Sequence, residues 1–204
     1  MAGDTCLPWF STPAYKYFLM EVFVTSTVTV TLAEIGDKTQ LLSLLLAVRF
    51  RNKAALALGV LAATLINHGL SAWLGGWISE SITLSYLPII VNVSIIAVGI
   101  WLLIPDKDED VSHRYDKYGA FLVSFVLFFI AEIGDKTQVA TVLLGAQYQD
   151  VFWVTIGTTL GMLIANIPVI YAGNALLKRI SLNSVRFIAA SVFVLLGVYG
   201  LMTY

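Results

Sequence analysis

Apolar residues run along this chain in six long blocks that shorter polar stretches separate. The blocks cover residues 17–48, 54–77, 84–104, 118–148, 151–177 and 185–204. A helix of about 20 apolar residues crosses the hydrocarbon core of a membrane. A backbone in lipid must also satisfy its own hydrogen bonds, which a helix does. The pattern therefore predicts an all-α integral membrane protein with six transmembrane helices.

The composition supports this class and excludes others. Of the 204 residues, 58% are hydrophobic and 12% are charged, whereas a soluble domain carries about 25% charged residues. The net charge of -1 and the lack of a basic run argue against nucleic-acid binding. The single cysteine, Cys6, excludes an internal disulfide and a cysteine-based metal cluster. We also expect no prosthetic group.

One octapeptide, AEIGDKTQ, occurs at residues 33–40 and again 98 residues later, at 131–138. The same offset superposes several glycines: 59 on 157, 75 on 173 and 99 on 197. Because each half holds three helices, the second half enters the membrane from the opposite side. We therefore predict two inverted three-helix repeats. Their bounds are 17–104 and 118–204, with a charged cytoplasmic loop at 105–117 and an extracytoplasmic segment at 1–16.

Lysine and arginine residues concentrate on one side of the predicted helices. Outside the octapeptides, nine of them follow the first, third and fifth helices, and only Lys16 lies on the other side. Loops rich in these residues stay in the cytoplasm. This bias predicts a multi-pass protein of the cell (inner) membrane with both termini outside the cytoplasm.

The two blocks that contain the octapeptide are too long for one straight span. The first would measure roughly 45 Å as a helix, against about 30 Å for the hydrocarbon core. We therefore expect helices 1 and 4 to bend or break near mid-membrane, around Gly36 and Gly134. Broken membrane helices commonly expose groups that bind ions.

Each octapeptide carries a set of oxygen ligands. Its glutamate and aspartate are three residues apart, so a continuous helix would place both on one face. Carboxylate, amide and hydroxyl oxygens without sulfur suit Mn²⁺, Ca²⁺ and Mg²⁺. The histidines, His68 and His113, do not join the pattern. The predicted metal ligands are Glu34, Asp37, Gln40, Glu132, Asp135 and Gln138, with Thr39, Thr137, Lys38, Lys136 and Asn166 as auxiliary residues.

The charges of the two copies suggest how such a site works. Four carboxylates and two lysines leave two negative charges, which match one divalent cation. An unpaired charge at the bilayer centre costs at least about 2.5–3.5 kcal/mol, so an empty site favours protonation of some acids. A site that holds either a metal ion or protons has the elements of a cation/proton antiporter. The alternative, a structural pair of Glu34 with Lys38, would need neither the second acid nor the second copy.

The hexapeptide EIGDKT, at 34–39 and 132–137, resembles the duplicated Glu-x-Gly-Asp-Lys/Arg-Ser/Thr signature of a membrane family of manganese and calcium cation exchangers. This family has Golgi, chloroplast and bacterial members, and the resemblance covers nearly the whole chain. The short loops are more similar to the bacterial members, which include a manganese exporter. The resemblance implies export of Mn²⁺, or of Ca²⁺, from the cytosol by cation exchange. It places the acidic motif residues at Glu34, Asp37, Glu132 and Asp135.

Two other functions use similar residues. A divalent cation channel could employ the same oxygen ligands. An intramembrane aspartyl protease also sets membrane aspartates beside glycine, but in a Gly-x-Gly-Asp motif with a dissimilar partner, whereas the two copies here are identical and carry glutamate. The inverted repeat favours alternating access around one site. We therefore expect a transporter and not an enzyme, with H⁺ or another cation as the counter-ion. The oxygen ligands suit Mn²⁺ and Ca²⁺ equally.

Overall fold

The computed structural model describes residues 13–81, 86–104, 117–173 and 182–203, and within them the chain is helical without any strand. This confirms the predicted all-helical class. The helices are α1 (Pro13–Glu34), α2 (Lys38–Arg49), α3 (Lys53–Ser81), α4 (Leu87–Trp101), α5 (Gly119–Glu132), α6 (Lys136–Tyr148), α7 (Val151–Ala172) and α8 (Leu182–Met202).

Two predicted segments fall largely outside the described residues. These are residues 1–12 of the N-terminal segment and residues 105–116 of the charged central loop. The first helix begins at Pro13, so the last four residues of the predicted N-terminal segment belong to α1.

Both long motif blocks are interrupted inside the octapeptide. The chain leaves helical geometry at Gly36, with φ of 85°, and at Gly134, with φ of 76°. Such left-handed angles are accessible to glycine at little steric cost. The predicted breaks at these two glycines are confirmed. The expected shared helical face for the two acids of each copy was wrong, because a helix ends between them.

A glutamine side chain closes each break. The amide oxygen of Gln40 accepts a hydrogen bond from the backbone N–H of Gly36 at 2.9 Å. Gln138 accepts the equivalent bond from Gly134 at 2.6 Å. In addition, Gln40 Nε2 donates to the carbonyl of Ala165 in α7 at 2.9 Å. The two glutamines therefore satisfy backbone groups that the breaks would otherwise leave unpaired.

The surface of the described residues is that of a membrane protein. Three helices are long and apolar enough to cross a bilayer: Pro13–Glu34, Lys53–Ser81 and Val151–Ala172. Shorter apolar helices cover Leu87–Trp101, Gly119–Glu132 and Arg186–Met202. Large apolar side chains are exposed along them, including Trp73 at 57% and Trp77 at 54%. Exposed apolar area on this scale is suited to lipid and not to water.

The two halves pack through each other's helices. α3 packs against α5 and α6, and α7 packs against α1 and α2. Gly59 lets α5 approach closely at Ser124, and Gly157 lets α1 approach at Ser26; a Cβ at either glycine would overlap these neighbours. The two contacts are related by the 98-residue offset. The packing of the molecule therefore repeats along with the sequence.

Contacts along α7 establish the relative directions of three helices. The hydroxyl of Thr27 donates to the carbonyl of Gly157, and that of Thr31 donates to the carbonyl of Gly161. Residue numbers rise together along the two helices, so α1 and α7 run parallel. Gly69 of α3 lies beside Thr155, and seven residues later the α7 neighbour is Val151. Since the residue numbers of the contacts rise along α3 and fall along α7, these two helices run antiparallel.

The same reasoning orients α5. Gly59 lies beside Ser124, and farther along α3 the amide of Asn67 donates to the carbonyl of Phe129 at 3.1 Å. α3 and α5 therefore run parallel. Because α3 is antiparallel to α7, and α7 is parallel to α1, the helix before the second break runs opposite to the helix before the first.

The last helices of the two halves, α4 and α8, form an antiparallel pair. Gly99 lies against Phe193, and Gly197 lies against Asn92. The pair packs on α1 and α6. Within the parts of the chain that the structure describes, no comparable packing joins α4 or α8 to α2 or α5. Equivalent faces of the two halves are therefore covered differently.

A groove on α5 illustrates this difference. It has a volume of 260 Å³, and its described lining, which includes Val123 and Leu127, comes from α5 and the turn before it. The equivalent residues of α1 are Thr25 and Thr29. They face a smaller cavity of 20 Å³ that Phe193 of α8 helps to line.

Candidate metal centre

Three acids meet where the two breaks approach each other. Glu34, Glu132 and Asp135 each bring one carboxylate oxygen to within 4.8 Å of the others. The glutamates are the last residues of α1 and α5, and the aspartate directly precedes α6. Both glutamates are fully buried, and the aspartate is 4% exposed. The two octapeptides thus contribute to one carboxylate cluster.

Threonine hydroxyls occupy one oxygen of each glutamate. Thr39 Oγ1 donates to Glu34 Oε2 at 2.5 Å. Thr137 Oγ1 lies 3.1 Å from Glu132 Oε2 and 3.0 Å from Asp135 Oδ2. The remaining oxygens, Oε1 of both glutamates, are buried and accept no hydrogen bond from the described residues. A buried acceptor without a partner is costly, and a cation placed between the two would remove that cost.

Lys38 joins the cluster from the first octapeptide. Its Nζ lies 3.1 Å from Asp135 Oδ1, and its side chain is 19% exposed. It also lines a small crevice with Leu41 and Leu45 of α2. Three carboxylates and this ammonium group leave two negative charges in the cluster. Two such charges in a low-dielectric site call for compensation by a cation or by protons.

Asn166 of α7 extends the cluster beside the carboxyl group of Glu34. Its side-chain oxygen accepts a hydrogen bond from Ser43 Oγ at 2.7 Å, and its Nδ2 donates to the carbonyl of Met162 at 3.2 Å. These bonds hold the amide in one orientation. The sequence reasoning included Asn166 but missed Ser43, which follows the first octapeptide by three residues and has Thr141 as its repeat equivalent.

Asp37 lies outside the cluster of three acids. It lines a small cavity together with Lys136 and Arg186. Lys136 Nζ donates to the carbonyl of Ile104 at 2.7 Å and is 6.0 Å from the ring centre of Trp101. The structure therefore brings the predicted ligand Asp135 to the centre and places its repeat equivalent in basic surroundings.

The other predicted ligands and a missed residue contact the breaks. Gln40 and Gln138 direct their amide oxygens to backbone N–H groups and not to the carboxylates. Arg186 of α8 donates from Nη2 to the carbonyl of Gly36 at 3.2 Å. No repeat signal could have identified this arginine, because position 88 is a proline. Arg186 thus bonds α8 to the first break, and Lys136 bonds the second octapeptide to Ile104, just after α4.

The chemistry of the centre follows from these groups. Its free atoms are carboxylate oxygens at the C-terminal ends of half-helices, where membrane transporters commonly coordinate cations. Hard oxygen ligands with two uncompensated negative charges suit a divalent ion such as Mn²⁺ or Ca²⁺. The arrangement can hold one divalent cation or be neutralised by protons.

Known proteins resemble the chain over most of its length. A family model described as "Divalent cation/proton antiporter GDT1" matches residues 22–110 and 120–204. A Vibrio cholerae protein named "Putative manganese exporter" is 47% identical over 189 residues, which cover 91% of this chain and 92% of that protein. A GDT1-like protein of Synechocystis is 27% identical over 208 residues, covering 91% and 98%. GDT1-like protein 4 of rice is 27% identical over 201 residues, covering 86% and 71%. No solved structure matches the chain.

Proposed function

We propose, from the premise that this chain belongs to the GDT1 family of divalent cation/proton antiporters, that it exports Mn²⁺ from the cytosol in exchange for protons. The observation that carries the proposal is the buried cluster of Glu34, Glu132 and Asp135. Mn²⁺ is chosen because the 47% identical relative bears the name of a manganese exporter. Ca²⁺ is the second candidate cargo, since oxygen ligands accept both ions. An antiporter family is not an enzyme family, which excludes the aspartyl protease.

The three clustered acids are the proposed ligands of the cation in this conformation. Thr39 and Thr137 donate to Oε2 of the two glutamates, which leaves both Oε1 atoms free to bind the ion. Lys38 neutralises one negative charge. The remaining predicted residues act around this set: the glutamines shape the breaks, and Asn166 borders the Glu34 carboxyl group.

Charge compensation explains the coupling to protons. With the cation bound, its two positive charges cancel the two negative charges of the cluster. When the cation leaves, burial of two uncompensated charges would cost several kcal/mol, so two protons take its place. The site is then neutral both with the cation and with the protons when its opening changes from one side of the membrane to the other. We therefore propose electroneutral exchange of one divalent cation for two protons.

We infer that the chain forms six spans in two inverted repeats, residues 17–104 and 118–204. α1 with α2, and α5 with α6, each count as one interrupted span. The opposite directions of α1 and α5, which the contacts through α3 and α7 imply, support inversion. The family model matches two stretches, each with one octapeptide, which supports the duplication.

The proposed orientation has both termini outside the cytoplasm, in the cell (inner) membrane. It is supported by the nine lysines and arginines that follow the odd-numbered spans. In this orientation α1 and α6, here called the outer-half helices, extend between the outer surface and the breaks, and α2 and α5 extend between the breaks and the cytoplasmic surface. The charged loop at 105–117 is then cytoplasmic.

The uneven packing of α4 and α8 supports alternating access. This pair packs on the outer-half helices α1 and α6. The equivalent face of α5 is not covered in this way and borders a groove of 260 Å³. We propose that this conformation is closed to the outside and is the one that opens to the cytoplasm. Exchange of conformations between the halves would move the pair onto α2 and α5, and would replace Asp135 by Asp37 at the cation.

Flux through the purified protein in sealed proteoliposomes tests the proposal. An inward Mn²⁺ gradient should move Mn²⁺ in and protons out, so that the internal pH rises. A potassium-valinomycin clamp of the membrane potential should leave the rate unchanged, because the exchange is electroneutral. Mn²⁺ entry without any change of internal pH would refute proton coupling, and single-channel currents would identify a channel.

A further inference from the structure

His68 is a buried polar residue that has no role in the exchange proposed above. It lies in α3 with 0% exposure. Neither ring nitrogen makes a hydrogen bond of normal geometry with the described residues. A weaker hydrogen bond with the backbone of Thr158 in α7 can satisfy one ring nitrogen and leaves the other without a partner. Leaving a buried polar atom without a partner costs about 1–3 kcal/mol. Packing alone therefore does not account for a histidine at this position.

The repeat gives His68 an equivalent. The 98-residue offset places it on Asn166, the amide that lies beside the carboxyl group of Glu34. In the second half the matching carboxyl group is that of Glu132, which also has a buried oxygen without a hydrogen bond. Asn166 of the second half therefore contacts Glu34 in this conformation, whereas the equivalent pair, His68 of the first half and Glu132 of the second, makes no hydrogen bond.

The packing of α3 places His68 at the matching level of the second half. Ala72 packs closely against Gly145 of α6. His68 is one helical turn before Ala72, and Thr141 is one helical turn before Gly145. Both are fully buried. Thr141 is the repeat equivalent of Ser43, which holds Asn166 in place. The residues for an equivalent contact are therefore already present around His68.

We propose that His68 is a further ligand of the transported cation in the opposite conformation and favours Mn²⁺ over Ca²⁺. This inference rests on the proposed exchange of conformations between the halves. When the second half takes the contacts that the first half now shows, His68 takes the place of Asn166 and lies beside Glu132. Ca²⁺ takes oxygen ligands almost exclusively, whereas imidazole nitrogen binds first-row transition metals.

The test compares Mn²⁺ and Ca²⁺ fluxes of the full chain in proteoliposomes with an imposed pH gradient. His68→Asn gives the first half the side chain that the second half has at the equivalent position, Asn166. We expect the ratio of Mn²⁺ to Ca²⁺ rates to fall about tenfold, as loss of one selective ligand permits. The Ca²⁺ rate should stay within about twofold of wild type, because the carboxylates are intact.

Two further variants make the result decisive. His68→Gln also lacks the imidazole and should show the same change of ratio. Ser71→Ala, on the same helix, removes a hydroxyl that bonds the carbonyl of Asn67 and should keep the wild-type ratio. An unchanged ratio in both His68 variants, or an equal loss of both fluxes, would overturn the assignment. Failure of the proposed function would instead appear in the wild type, as cation flux without proton movement.

Discussion

The two copies of AEIGDKTQ have the same eight side chains and different neighbours. Asp135 lies in the carboxylate cluster and pairs with Lys38 across the two halves. Asp37, its equivalent, lines a cavity with Lys136 and Arg186. The glutamates, in contrast, have similar surroundings, since each is buried at the end of a helix and bonded to a threonine hydroxyl. The glutamates of both copies therefore belong to the site, whereas only one of the two aspartates does.

This difference is what we expect if the two halves of the proposed repeat are in two different conformations. The α4 and α8 pair covers α1 and α6. Arg186 of α8 donates to Gly36 of the first octapeptide, and Lys136 of the second octapeptide donates to Ile104, just after α4. A movement of the pair would therefore change both breaks at once. The glutamates would bind the cation in both states, and the aspartates would take turns. Four predictions follow from this comparison, in decreasing order of expected effect.

Glu34→Gln and Glu132→Gln should each lower Mn²⁺ flux at least about 100-fold, because each removes a charge that faces the cation in both states. The two losses should be equal. Proteoliposome flux measures them, with Ser71→Ala as a variant outside the site. A glutamate that can be replaced without loss would disprove the shared role of the pair.

Asp135→Asn and Asp37→Asn should differ in binding while both slow transport. In the conformation described here only Asp135 belongs to the cluster. Its replacement should weaken Mn²⁺ binding by about 10–100-fold, the effect of about 1.4–2.8 kcal/mol. Asp37→Asn should weaken binding less than about threefold. Calorimetric titration of the protein in detergent measures both constants.

Equal losses of affinity in the two aspartate variants would contradict the assignment. Such a result would mean that both aspartates bind the ion in the same state, so that no exchange of ligands accompanies transport.

A disulfide between α1 and α8 should hold the described conformation. Thr29 and Phe193 line one cavity, so the double variant Thr29→Cys with Phe193→Cys, in a Cys6→Ser background, should cross-link and stop flux. A reductant should restore it. Leu127 and Ile95 are the repeat equivalents of Thr29 and Phe193, and Leu127→Cys with Ile95→Cys is the matched control. Efficient cross-linking of the control pair would show that the two halves are not covered differently.

Gly36→Ala and Gly134→Ala should have the smallest effects, and these should be equal. Both glycines have positive φ, which costs an alanine about 1–2 kcal/mol. A Cβ at Gly134 meets no atom within 4 Å, so backbone strain is the main term. Thermal unfolding in detergent should show a decrease of a few degrees for each variant. Clearly unequal decreases would show that the two breaks are not equivalent.

Much of the architecture was predictable from local sequence. The apolar blocks predicted helices, because a backbone in lipid has few other ways to satisfy its hydrogen bonds. The excessive length of two blocks, with glycines at 36 and 134, predicted the breaks. The octapeptide itself predicted oxygen ligands and a net charge that suits a divalent cation. These properties depend on residues close to one another in the chain, and long-range packing changes them little.

The sequence by itself determined the helical class, the duplicated motif and the chemistry of the candidate ligands. Tertiary structure alone decided which acids meet. Two identical octapeptides cannot specify that Asp135 joins the cluster while Asp37 lies beside Arg186. That choice depends on which face α4 and α8 cover, and hence on packing between residues far apart in the chain. Because the two octapeptides are identical, their local energies do not favour one arrangement over the other, and packing makes the choice.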